Sequence, residues 1–119
     1  MPIQLGEQFG NILTIHCSGK VQKSDYETFV PAFELMVKQH GKLRILFDLT
    51  GFQGWDVNAL WEEVKFDVKH FSDIERIATV GEHKWEEFLA MFFKPFIAAK
   101  TRYFDSDQIE AAKKWLIVD

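Results

Sequence analysis

Four histidines and a single cysteine are the side chains of this 119-residue chain with the widest chemical range. A metal site or a nucleophilic dyad would place such residues at recognisable spacings. There is no paired-cysteine motif, no metalloprotease helix signature, no glycine-rich phosphate loop and no nucleophile elbow. His16 and Cys17 are neighbours, so in an extended strand they point to opposite faces. Cys17 reads as a small buried residue and His16 as a half-buried strand histidine with an ordinary hydrogen bond. Glu82, His83, Glu86 and Glu87 gather around a helix start, where His83 and Glu87 share one side. A metal wants more ligands than that, and carboxylates in a first turn complement the helix dipole. Asp48 ends an apolar run, with Thr50 as the only hydroxyl before the next helix. A lone carboxylate at a strand end accepts hydrogen bonds from the turn that follows, which weighs against a role as acid or base. No catalytic residue, metal ligand or cofactor is assigned, and the expectation is a protein that is not an enzyme.

The aromatic residues are the compositional oddity: twelve Phe and four Trp, within an aromatic share of 15%. Each enclosed ring buries ~150–250 Å², so this many make either a bulky core or an aromatic-lined cavity. One chain of ordinary domain size buries roughly two-thirds of its unfolded surface and needs no staple. Cys17 has no partner for an internal disulfide, no secretory signal pattern opens the chain, and no apolar run approaches the ~20 residues of a membrane span. A cytoplasmic protein is the default expectation. The net charge of -4 and the lack of a concentrated basic face argue against nucleic acid. Lys100, Arg102, Lys113 and Lys114 read as a solvated surface.

The elements that position these residues follow from periodicity. Met1 to Leu5 and Ile12 to Cys17, separated by Gly10-Asn11, predict an antiparallel hairpin. Ser24 with Glu27 predicts a capping box ahead of an amphipathic helix over Tyr26, Phe29, Val30, Phe33, Met36, Val37 and His40, with Pro31 inside the pattern and Gly41 as the stop. Arg44 to Asp48 reads as a central strand apolar on both faces, followed by a loop punctuated by Gly51 and Gly54. Asp56 then caps a helix with Val57, Leu60, Trp61, Val64, Val68 and Phe71 on its core face, and Phe66 pointing away with Glu62 and Glu63. Ile74 to Val80 is the next strand. A helix from near His83 carries Trp85, Phe88, Leu89, Phe92, Phe93 and Phe96, broken at Pro95. Thr101 to Phe104 is a last strand, and Asp107 with Glu110 caps a final helix packed through Ile109, Ala112, Trp115 and Leu116. The pattern predicts an α/β fold: a mostly parallel five-stranded sheet, one antiparallel hairpin strand at its start, and four helices.

Within that order, FDLTGFQGWDVNALWEE in the middle and DQIEAAKKWL near the end resemble the SpoIIAA-like family of STAS-type domains. The specific parts are Phe47-Asp48-Leu49, the Gly54-Trp55 turn, and the run Ala111-Ala112-Lys113-Lys114-Trp115-Leu116. The resemblance spans almost the whole chain and implies a single domain, 1–119. Anti-sigma factor antagonists of this kind dock their loop and second helix on a kinase, controlled by a phosphorylated serine at that helix start. Here Trp55-Asp56-Val57 stands in that place and Thr50 lies too early, so the phosphorylatable serine is missing. Another branch looks like small bacterial proteins related in shape to lipid-transfer domains. It implies a non-enzymatic domain holding an apolar small molecule or lipid between the sheet and the helices at 57–71 and 84–96. Trp55 would stand near the mouth, with Leu60, Trp61, Val64, Phe88, Phe92, Phe93 and Phe96 around the ligand. The alternative is a protein-interaction module using Trp55, Phe66 and the loop surface. Exposed apolar helix surface also suits a homodimer.

Overall fold

Leu13, Ile15 and Cys17 alternate with Ile12, Thr14 and His16, and in the computed structural model this alternation becomes a strand with two differently covered faces. The structure describes residues 3–70, 72–82 and 100–118, apart from the side chains of residues 67 and 68. Among the described residues seven strands form two sheets: β1 (Ile3–Phe9), β2 (Ile12–Cys17), β3 (Gly19–Val21), β4 (Leu43–Asp48), β5 (Phe52–Trp55), β6 (Ile74–Gly81) and β7 (Lys100–Asp105). The main sheet has the order β1-β2-β4-β6-β7. β1 and β2 make the expected antiparallel hairpin, and the remaining pairs are parallel.

The helices are α1 (Lys23–His40), α2 (Val57–His70) and α3 (Ile109–Ile117). On one face of the sheet, Leu13, Ile15, Cys17, Leu43 and Ile45 pack with Tyr26, Phe29 and Phe33 of α1 and Ala59 and Phe66 of α2. On the other, Leu46, Ala78, Val80 and Phe104 pack with Ala112 and Leu116 of α3. Phe33 is fully buried, its ring 5.8 Å from Phe29 and 4.8 Å from Phe66. At the far end of the second layer, Arg76 Nη1 donates to the carbonyl of Trp115 at 2.9 Å, and Arg44 Nη1 donates to those of Leu116 (2.7 Å) and Val118 (3.1 Å). These carbonyls have no partner within the helix, so the two cations satisfy them and complement the negative end of the helix dipole.

Several expectations are corrected. The described residues hold three helices, not four, and the aromatic helix expected over 84–96 lies outside them. The stretch after Asp48 is not merely a loop: β5 pairs in parallel with β3 as a second, two-stranded sheet. Gly51 (φ 78°) and Gly54 (φ 107°) supply the backbone angles that bend the chain into it. Alternation over three or four residues is too short a signal to mark such strands in advance. α1 starts earlier than Ser24. Its cap is Gln22, whose backbone N–H donates to Asp25 Oδ2 at 2.7 Å, and the helix runs through Pro31. Gln108, not Asp107, precedes α3. Asp56 caps α2 as expected, accepting from the Ala59 amide at 2.8 Å.

Candidate functional site

The second helix carries the main surprise, because its buried side is not the one its apolar residues predict. Ala59, Glu63, Phe66 and His70 recur at helical spacing, and all four are buried. Phe66, expected to point outward, packs against Phe29 (5.4 Å), Phe33 and the ring of His70 (4.9 Å). The apolar count was misleading because the inward face includes two ionisable residues, Glu63 and His70. Hydrophobic periodicity assigns such residues to solvent.

Both polar residues have partners. Tyr26 Oη of α1 donates to Glu63 Oε2 at 2.6 Å, and Trp55 Nε1 of β5 donates to Tyr26 Oη at 2.8 Å. Burial pushes the Glu63 carboxyl up to about 7, against the smaller opposing effect of the Tyr26 hydrogen bond. Burial, reinforced by the Glu63 charge, raises the Tyr26 phenol well above its ordinary range. It also raises the Cys17 thiol, helped by the charges of Glu63, Asp25 and Asp48. Such a thiol is a poor nucleophile, in line with the sequence reading of Cys17 as a buried packing residue. His70 Nδ1 bonds to Asp73 Oδ2 at 2.7 Å, while Nε2 makes no hydrogen bond and lies 3.4 Å from Glu34 Oε2. Sequence reasoning missed Glu63 and His70. The spacing of Ala59, Glu63, Phe66 and His70 was the available signal.

The predicted ligand-binding residues separate into two places. Trp55 is half-buried, joined to Tyr26 and set edge-on to Phe52 with ring centroids 4.6 Å apart. Trp61 is 63% exposed and Val57, one turn away, 75% exposed, with Leu60 and Val64 half-buried beside them. These four form an apolar stripe on the outside of α2. Phe88, Phe92, Phe93 and Phe96 lie outside the described residues, as does the cluster of His83, Glu86 and Glu87.

At the carboxyl ends of β2 and β4, His16 Nδ1 meets Asp48 Oδ2 at 3.0 Å. Asp48 Oδ1 accepts from the Thr50 amide (3.0 Å) and hydroxyl (2.6 Å), the turn-capping role expected of it. Burial works to raise this carboxyl, but the Thr50 and His16 bonds outweigh it and hold the group below the usual range. Among the described residues no group of three or more His, Cys, Asp or Glu side chains could hold a metal ion. Among the same residues, no helix is long and apolar enough to cross a membrane.

The SpoIIAA-like family profile matches residues 12–117, from the second strand of the hairpin through the last helix. The chain belongs to the SpoIIAA-like family. A crystal structure of an uncharacterized protein from the DUF3478 family with a SpoIIAA-like fold, from Shewanella loihica PV-4, superposes with a TM-score of 0.79. It is 23% identical, and the match covers 96% of this chain and 91% of that one. No curated protein matches the chain. The buried aromatic core of this SpoIIAA-like domain is built around α1 and α2.

Proposed function

We propose that this SpoIIAA-like domain binds a lipophilic small molecule, a lipid or similar apolar ligand, along the outer stripe of α2. The observation that carries this reading is the exposure of Val57 and Trp61 one turn apart, flanked by Leu60 and Val64. Trp55, in β5 just ahead of α2, is held by its bond to Tyr26. Covering ~300 Å² of apolar surface supplies roughly 7 kcal/mol before binding costs, consistent with affinity no tighter than micromolar.

Native mass spectrometry of the purified protein and titration with a fluorescent fatty-acid probe test this directly. The expected result is a bound apolar mass and saturable probe binding that Trp61→Glu weakens at least tenfold, with no change in the far-ultraviolet circular dichroism spectrum. No co-purifying molecule, together with no probe binding, removes the proposal. A second reading, a protein-docking module, draws on the same exposure, since a stripe facing outward suits a partner's surface as well as a ligand. In that case Trp61→Glu abolishes partner capture while the fatty-acid probe never binds. Phe66 cannot discriminate between them, because a charge there would disrupt the core.

A further inference from the structure

The hydrogen-bonded relay beneath α2 has a fixed direction. An indole nitrogen can only donate, so Trp55 supplies its hydrogen to the Tyr26 oxygen, and the phenol's own hydrogen goes to Glu63 Oε2. Three elements, β5, α1 and α2, are thereby joined through one chain that ends on a buried carboxyl. The titratable groups around that carboxyl are Tyr26 on α1 and Cys17 on β2. Asp25 of α1 and Asp48 of β4 act on the same thiol. Every one of these groups is neutral or negative. On α2 itself, Lys65 pairs with Glu62 and Lys69 with Glu34, all four outside the buried face. His70, seven residues on along that face, is engaged by Asp73 and Glu34. Among the described residues no cation pairs with Glu63.

A carboxylate in this position keeps one charge-assisted bond from Tyr26 but has no counter-ion among the described residues, and desolvating an unpaired charge is costly. We propose that Glu63 is a proton-operated latch: protonated, it lets α2 seat on α1 and the sheet; ionised, it loosens α2, and Tyr26 and Trp55 pass the change to β5. The upward displacement of the carboxyl to about 7 places the change near neutral pH. The latch lies on the inner face of α2 and holds whether or not the outer stripe binds a ligand.

Two measurements on the full chain decide it. In hydrogen–deuterium exchange between about pH 5.5 and 8.5, corrected for intrinsic exchange, α2 amides should open at least ~10-fold more at the upper end, which is one pKa unit of coupling. Amides of α3 should not change, and Glu63→Gln should make α2 flat across the range. A carbon-13 titration of the wild-type side-chain carboxyls should show Glu63 with a midpoint near neutrality. Tyr26→Phe, which removes the donor that favours the charged form, should move that midpoint higher. A Glu63 midpoint below about 5 overturns the proposal, as does an unchanged pH response of α2 in Glu63→Gln. The wild-type titration alone is decisive if the variants fold poorly.

Discussion

The two faces of the main sheet close in different ways. Beneath α3 the core cluster is apolar, and the charge beside it is carried by Arg44 and buried Arg76, which meet the helix carbonyls. Beneath α1 and α2, aromatic rings share the interior with Asp25, Glu63 and His70. The first arrangement pairs its cations, buried Arg76 and largely buried Arg44, with fixed carbonyl dipoles, and neither cation titrates near neutrality. The second carries ionisable groups inside, where their protonation alters the packing energy. The stability of one layer should thus be indifferent to pH near neutrality, and that of the other should depend on it.

The largest test of this contrast is Phe33→Ala, which empties the centre of the α1–α2 layer and should cost about 3–5 kcal/mol in chemical denaturation. Glu63→Gln comes next and has the opposite sign. Folding raises the Glu63 carboxyl from 4.5 to about 7, so below 4.5 both states are protonated and nothing is lost. Between 4.5 and 7 only the unfolded chain gives up its proton, so wild-type stability declines through that window and is level above it. The loss is at most about 3 kcal/mol, and Glu63→Gln should recover about 1–3 kcal/mol at pH 8 with little change at pH 4.5. Thermal melts at the two pH values would check both the size and the sign. Arg76→Met removes a donor from the Trp115 carbonyl and the cation 5.4 Å from the Trp115 ring centroid. It should cost about 1–2 kcal/mol, equally at pH 5 and pH 8. An Arg76→Met penalty that varies with pH as strongly as the Glu63 effect would dissolve the contrast between the layers. Smallest of all, Lys65→Ala on the exposed rim of α2 should change stability by less than about 0.5 kcal/mol.

The architecture was largely readable because most elements obey simple patterns. Alternation at Leu13, Ile15 and Cys17, the Asp56 cap and the packed face at Ala112 and Leu116 all appear where expected. The short strands β3 and β5 escaped because they are too brief for periodicity to register. The orientation of α2 escaped for a different reason. Trp61 and Val57 are apolar yet outside, whereas Glu63 and His70 are ionisable yet inside, so a hydrophobic count turns the helix the wrong way. Residues that depart from the usual sorting by polarity here mark both the proposed binding stripe and the proposed latch. The inner relay of Trp55, Tyr26 and Glu63 was accordingly not legible in the sequence.

Arg44 and Arg76 are direct partners on adjacent parallel strands, and a one-residue irregularity immediately before them sets that alignment. Glu75 pairs with Arg44 at 3.3 Å, and the carbonyls of Trp115, Leu116 and Val118 accept from the two guanidinium groups. The closing segment therefore clasps β4 and β6 together in this register, because its carbonyls accept from one guanidinium on each strand.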